Sequence, residues 1–95
     1  MIIKIEATCL TISKDISKVN KDKAIYEGQR CNLFIDGKYF PSNIINIVGS
    51  DFLEFDSISE ITIEVVVNDF EKNFFINGKF ELREANKLLA MCTVL

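Results

Sequence analysis

The segment from Glu60 to Asn68 limits the possible folds more than any other part of the chain. Apolar residues alternate here with more polar ones, as expected for a strand with one buried face. So many β-branched side chains disfavour a helix, because they lose χ1 freedom against the preceding turn. The sequence therefore predicts a sheet protein in which one face of this strand is buried, formed by Ile61, Ile63, Val65 and Val67.

Other segments also predict strands. The run from Ile3 to Cys9 has the same alternation, and Asp36-Gly37 separates two apolar runs, which is typical of a tight type I′ hairpin. Pro41 is predicted to stop a strand or to lie at a sheet edge, because proline lacks an N–H. The polar, lysine-rich segment Ser13 to Gly28 is predicted to be a long connection.

Length and composition indicate a small globular protein. The 95 residues predict one domain, 1–95, and 48% hydrophobic with 26% charged residues is typical of a globular chain. With 11 basic and 14 acidic residues, the net charge of −3 argues against a general nucleic-acid binder. No apolar run approaches the roughly 20 residues of a membrane helix, and the N-terminus does not have the pattern of a signal peptide.

Three cysteines, Cys9, Cys31 and Cys92, are widely spaced, and the chain contains no histidine and no CxxC motif. An odd number of cysteines does not fit a disulfide framework. We expect reduced, mostly buried thiols in a cytoplasmic protein. A three-thiolate metal site would require the fold to bring distant positions together.

The segment Glu81 to Cys92 permits two interpretations. Its residues are strong helix formers, and Leu82, Ala85, Leu89 and Cys92 fall at an acceptable helical spacing. As a hairpin, the same segment would turn at Ala85-Asn86, since Asn tolerates a positive φ, and Asn77-Gly78 is a further hairpin pattern.

A resemblance favours the hairpin. The run from Gly78 to Leu95 resembles the closing strands of the third domain of elongation factor Tu, whose pattern is G-x-R-F-x-[IL]-R-E-G-G-R-T-V-G-A-G-V-V. The matching residues, with one residue deleted after Gly78, are Phe80, Leu82, Arg83, Glu84, Lys87 and Val94. The N-terminal run IKIEATCLTISKD and the run EGQRCNLFI, Glu27 to Ile35, are also similar to parts of that domain. The resemblance implies an all-β fold, a small closed antiparallel β-barrel of about six strands.

The sequence predicts no catalytic function and no cofactor. Without histidine, Ser-His and Cys-His nucleophiles are excluded, and no phosphate-binding loop is present, so we expect no GTP binding. The seven acidic residues between Asp51 and Glu71 lack calcium-loop spacing. The chain is therefore predicted not to be an enzyme.

The candidate binding residues fall into a basic and an acidic set. In the resembled family this domain contacts the T stem of aminoacyl-tRNA and the nucleotide-exchange factor, and the Gly-Gly-Arg turn is part of the tRNA surface. Here that turn is Ala85-Asn86-Lys87, and both glycines are missing. Glu60 and Glu64 could steer a basic partner. The candidates are Arg30, Glu60, Glu64, Arg83, Asn86 and Lys87.

Three functions remain open at this point. We expect a non-catalytic module that binds a protein partner through its surface. The first alternative is a translation-linked module that binds tRNA or another RNA, which the net negative charge disfavours. The second is an acidic immunity or inhibitor protein that neutralises a basic toxin.

Overall fold

A computed structural model of the chain describes residues 1–69, 71, 75 and 78–95. Six strands form a closed antiparallel barrel in the order β1-β6-β4-β3-β7-β8, in which β8 pairs back onto β1, and β2 pairs separately with β5. The predicted all-β barrel is therefore confirmed. The elements are β1 (Ile2–Thr11), α1 (Lys14–Ser17), β2 (Ile25–Tyr26), β3 (Arg30–Ile35), β4 (Lys38–Ile47), β5 (Phe52–Leu53), β6 (Ile58–Val66), β7 (Lys79–Glu84) and β8 (Lys87–Val94).

The longest antiparallel pairing joins β1 to β6, from Ile2 opposite Val66 to Leu10 opposite Ile58. Successive side chains of a strand point to opposite faces of the sheet. The inner face of these two strands is buried as predicted, and it is formed by Ile5, Ala7, Cys9, Ile61, Ile63 and Val65. Together with the inner residues of the other strands they make one apolar cluster inside the barrel.

The C-terminal segment is a hairpin, as the resemblance implies, and the helix favoured by propensity is wrong. Glu84 of β7 and Lys87 of β8 form the last pair before the turn, so the turn contains only Ala85 and Asn86. The positive φ falls at Ala85, at 53°, whereas the sequence predicts it at Asn86. Asn77, part of the other hairpin pattern, lies outside the described residues.

A β-bulge explains why this segment looks helical. The pairing of β7 with β8 shifts so that Leu82 lies opposite Ala90 and Arg83 opposite Leu88, which leaves Leu89 as an extra residue. Leu89 and Ala90 are consequently both buried. A similar shift occurs in β4 at Ile45. Since a bulge changes the spacing of inward residues from two to three, it imitates a helical period.

The Asp36-Gly37 turn is confirmed as a two-residue hairpin with positive φ angles of 50° and 78°. Pro41 does not stop a strand but lies inside β4. β4 pairs with β6 only from Ser42 onward, so Pro41, which has no N–H to donate, lies where β4 has a partner strand on one side, β3. Beside this part of β4, Phe75 packs edge-on against Phe40, with their ring centroids 5.5 Å apart.

The segment Ser13 to Gly28 is not the plain connection that the sequence predicts. Ser13 caps α1 by accepting a hydrogen bond from the Ile16 amide, and the segment ends in β2. The Nζ of Lys87 donates to the Lys18 carbonyl oxygen at 3.1 Å, and Lys21 forms a 3.1 Å ion pair with Glu84. These contacts hold the segment against the β7–β8 hairpin. Elements of four and two residues are too short to produce a periodic pattern.

Within the described part of the chain, no helix has the length and apolar character needed to cross a bilayer.

Candidate binding surfaces

A row of three large apolar side chains lies on the outside of the barrel. The register places Leu10 of β1 directly between Ile58 of β6 and Met91 of β8. These side chains are 50%, 65% and 43% exposed, respectively. Single exposed apolar residues are common, but contiguous apolar patches mark interaction sites. We call Ile58, Leu10 and Met91 the apolar row.

The border of the apolar row is polar and partly acidic. Two residues further along β6, Glu60 lies opposite Thr8, which in turn lies opposite Thr93. Glu60 is exposed, and no cation among the described residues forms an ion pair with it. Next to Met91 on β7, Glu81 is held by Arg83. Glu60 is therefore a charge beside the row that the described residues leave unpaired.

A second surface is a shallow cleft of about 470 Å³ on the outside of β7, β3, β4 and the end of β6. Asn32 lies opposite both Arg83 and Pro41, and Arg30 lies opposite Asn43. Two predicted binding residues, Arg30 and Arg83, are thus brought together. We call this surface the arginine cleft; its lining includes Arg30, Asn32, Pro41, Asn43, Val66 and Arg83.

Arg83 is held in place by neighbours on three strands. Its guanidinium carbon lies 4.0 Å from the Phe34 ring centroid, its Nε donates to Glu81 at 2.8 Å, and its Nη1 donates to the Tyr39 hydroxyl at 2.6 Å. The hydrogen bond to Glu81 raises the pKa of Arg83 above its usual value. Arg83 is therefore an oriented group rather than a mobile surface charge.

Arg30 differs from Arg83 in having its charge free. It is the exposed first residue of β3, and no acidic side chain among the described residues forms an ion pair with it. Glu84 also lines the cleft, but it is paired with Lys21 at 3.1 Å. Asn32 donates to the Ala85 carbonyl oxygen at 3.3 Å.

The remaining predicted residues do not join this site. Glu64 lies between Lys4 and Asn43 in the register and lines a neighbouring hollow of about 740 Å³, which meets the arginine cleft at Asn43. Asn86 is in the β7–β8 turn, and Lys87, which starts β8, binds the Lys18 carbonyl oxygen, which is a structural role. The six candidates therefore lie in several places on the barrel.

The acidic segment from Asp51 to Glu71 is less acidic in the fold than in the sequence. Lys23 pairs with Glu54 at 2.8 Å, and its Nζ lies 4.5 Å from the Phe52 ring centroid. The hydrogen bond raises the pKa of Lys23 and lowers the pKa of Glu54. Lys38 lies 3.8 Å from Glu71. Two of the seven acids of this segment, Glu54 and Glu71, therefore lie against lysines that are distant in sequence.

The three thiols are free and buried, as predicted. Cys9 and Cys92 lie opposite each other where β1 meets β8. The hydrogen bond with Cys9, together with burial, raises the pKa of Cys92 well above its usual value, and burial raises the pKa of Cys31. Since the thiolate is the nucleophile and the metal ligand, the raised pKa makes Cys31 and Cys92 less reactive at neutral pH. The described residues contain no group of three or more side chains placed to hold a metal ion.

Sequence reasoning missed the apolar row. Leu10 follows Lys4, Glu6 and Thr8 on the polar face of β1. An apolar residue at the end of this polar face is the one sequence pattern that could have indicated the apolar row.

Comparison with known proteins adds no family. The chain matches no protein-family model, and no curated protein is a significant match. The resemblance to the third domain of elongation factor Tu therefore stays a prediction.

Proposed function

We propose that this chain is a non-catalytic β-barrel module that binds another protein through the apolar row. The observation that carries the proposal is the register that sets Leu10 between Ile58 and Met91, with all three side chains exposed. None of the three belongs to the buried core.

The energetics of the row support a protein partner. Fully burying a large apolar side chain contributes about 1.5–3 kcal/mol, so three half-exposed ones would contribute about 3 kcal/mol when covered. A contribution of this size suits the apolar centre of a larger interface, which typically has a polar rim. Glu60 at the border favours a partner with a basic residue at the matching position.

The resemblance to elongation factor Tu is compatible with this proposal, because that domain also works by binding. We favour a protein over tRNA because the net charge is −3 and Lys21 and Lys23 are occupied by carboxylates. A basic toxin would be one example of a protein partner with a basic residue opposite Glu60. Three buried, free thiols support a reducing, cytoplasmic location.

A capture experiment with matched variants tests the proposal. The immobilised wild-type chain, the Leu10→Lys/Met91→Lys double variant and the Ile2→Lys/Val66→Lys control, an exposed apolar pair at the other end of β1 and β6, are each exposed to a lysate of the source organism, after circular dichroism has shown that all three fold. We expect a protein that the wild type and the control retain and that the double variant loses by at least tenfold. Equal capture by all three chains, or capture that ribonuclease abolishes, would contradict the proposal.

A further inference from the structure

Two of the three thiols face each other inside the barrel. Cys9 of β1 lies opposite Cys92 of β8, and the two residues are 0% and 2% exposed. The third thiol, Cys31, lies opposite Ser42 on β4. Its strand, β3, is separated from β1 by two strands in either direction around the barrel. The fold therefore makes one pair from an odd number of cysteines and leaves Cys31 apart.

The backbone ladder sets the distance between the two facing cysteines. The Ile12 amide donates to the Leu89 carbonyl oxygen at 3.1 Å, and the Leu95 amide donates to the Glu6 carbonyl oxygen at 2.9 Å. Cys9 is three residues from both Ile12 and Glu6, so it belongs to a non-hydrogen-bonded pair, because the two kinds of pair alternate. The Cα atoms of such a pair are about 4.5 Å apart, within the range of about 4.4–6.8 Å that a disulfide spans.

The side chains need only a small movement to form a covalent bond. Facing Cβ atoms of an antiparallel pair are about 4.5–5.5 Å apart, so they would approach by about 1 Å to reach the spacing found in disulfides. The hydrogen bond that raises the pKa of Cys92 is with Cys9, so the two thiols already interact. In contrast, the Sγ of Cys31 lies 3.5 Å from the Ser42 hydroxyl oxygen. The geometry thus favours one disulfide, between Cys9 and Cys92.

A small oxidant can reach the pair when the strands separate locally. The pairing of β1 with β8 runs only from Ala7 opposite Val94 to Thr11 opposite Ala90, whereas β1 pairs with β6 along almost its whole length. Segments with less pairing open at lower free energy than the rest of a fold. Opening of this seam also exposes the thiols to water, where they can lose their protons.

We propose that Cys9 and Cys92 form a redox-sensitive pair, which hydrogen peroxide converts into a disulfide across the seam between β1 and β8. The thiolate of one cysteine attacks a peroxide oxygen, which forms a sulfenic acid and, after protonation, releases one water. The sulfur of the other cysteine then attacks the sulfenic acid sulfur, and the hydroxyl group leaves with the thiol proton as a second water. The two sulfurs lose two electrons in total, and peroxide is reduced to two waters.

The disulfide would join the first and the last strand of the barrel. Because the loop that it closes contains nearly the whole chain, it should strongly reduce the entropy of the unfolded state. We therefore expect the Tm of the oxidised protein to be higher by about 10 °C or more. Leu10 and Met91 are the next residues on the two strands, so oxidation would also lock the register of the apolar row. The pair itself does not depend on what the row binds.

Thiol counting on the folded wild-type protein tests the proposal. The protein is treated with hydrogen peroxide, unfolded in urea with iodoacetamide, and weighed by mass spectrometry. We expect three labelled thiols before treatment, one after it, and three again when dithiothreitol is added before labelling. Dithiothreitol separates a disulfide from a sulfinic acid, which it does not reduce. Tryptic digestion of the oxidised protein should link residues 5–14 to residues 88–95 and leave residues 31–38 labelled at Cys31.

Two variants complete the test. Cys31→Ala keeps the facing pair, so it should form the same linked peptide and show the same rise in Tm as the wild type. Cys92→Ala should form no link, and peroxide should not raise its Tm. Three labelled thiols in the treated wild type, a link that includes residues 31–38, a covalent dimer of two chains, or a loss of label that dithiothreitol does not reverse would each overturn the proposal.

Discussion

The apolar row and the arginine cleft occupy the outside of one barrel, yet they relate to the fold in opposite ways. The side chains of the row, at Leu10, Ile58 and Met91, are exposed and lie outside the buried core. In the cleft, Arg83 contacts Phe34, Tyr39 and Glu81, so it joins β7 to β3 and β4. The row should therefore tolerate substitution without loss of the fold, whereas part of the cleft should not.

The largest effect is expected beneath the row, at the bulge that turns Met91 outward. Leu89 is the extra residue of β8 and is fully buried. Leu89→Ala should lower the free energy of unfolding by about 2–4 kcal/mol, because it removes buried methyl groups and leaves a cavity. Urea denaturation measures this loss. Leu88→Ala, next to it and only half-buried, is the control, and an equal loss there would contradict the assigned bulge.

A pH effect is expected where β1 meets β8, the seam on which the row depends. The pKa values of Cys92, in this seam, and of Cys31, in β3, are raised in the fold above the usual value of a thiol. The stabilisation that comes from a raised thiol pKa is fully present below the pKa of the thiol in the unfolded chain. It is lost as the pH rises through the pKa of the thiol in the folded chain. Unfolding free energy should therefore fall above about pH 8.5, by at most about 1.4 kcal/mol per pH unit for each thiol.

Denaturation at pH 7 and at pH 10 measures this loss. Cys92→Ala should show a smaller decrease between the two pH values than the wild type. The same decrease in both chains would mean that another group titrates.

A smaller effect should separate the two arginines of the cleft. Arg83→Ala removes a stacked guanidinium and its hydrogen bonds to Tyr39 and Glu81, so its Tm should fall. Arg30→Ala removes no described ion pair and should leave the Tm nearly unchanged, as should Leu10→Lys in the row. Differential scanning calorimetry of the three variants checks this order, and a lower Tm for Arg30→Ala than for Arg83→Ala would refute the comparison.

The smallest effect is expected at the rim of the cleft, where Ala85 has a φ of 53°. A left-handed conformation destabilises a residue that has a Cβ atom by about 1 kcal/mol, whereas glycine adopts it without this penalty. Ala85→Gly should therefore raise the free energy of unfolding by about 0.5–1 kcal/mol, offset in part by the greater entropy of the unfolded chain. Asn86→Gly is the matched control, and stabilisation there instead would place the positive φ at Asn86.

The strands with regular alternation could be predicted from the sequence, and the bulged ones less well. β1 and β6 keep a strict period of two, and the Asp36-Gly37 turn has its own residue preference, so both are readable locally. The bulge at Leu89 puts two neighbouring residues on the inner face, which favours a helical interpretation. For this segment, the resemblance to a known barrel was needed to choose the hairpin over the helix.

The candidate surfaces were less predictable because they depend on register between strands distant in sequence. Nothing local in Leu10 or Met91 indicates that the two side chains lie together across the β1–β8 pair. The position of Arg83 over Phe34 likewise requires β7 to lie beside β3. In contrast, Arg30 and Arg83 could be proposed as binding residues from sequence, but not as members of one cleft.

The register between β1 and β8 is the central claim, because it both closes the barrel and creates the apolar row. The Leu95 amide donates a hydrogen bond to the Glu6 carbonyl oxygen at 2.9 Å, so Glu6 and Leu95 are a hydrogen-bonded pair of the ladder. In an antiparallel ladder such pairs alternate with non-hydrogen-bonded ones, in which the Cα atoms are closest. Cys9 and Cys92 form one of the close pairs.

A nuclear Overhauser spectrum of the labelled protein tests this register directly. The account predicts strong cross-peaks between the Hα atoms of Cys9 and Cys92 and between those of Ala7 and Val94. Sequential amide–amide cross-peaks through Glu81 to Met91, with neither Hα–Hα contact present, would show a helix there and contradict both the barrel and the apolar row.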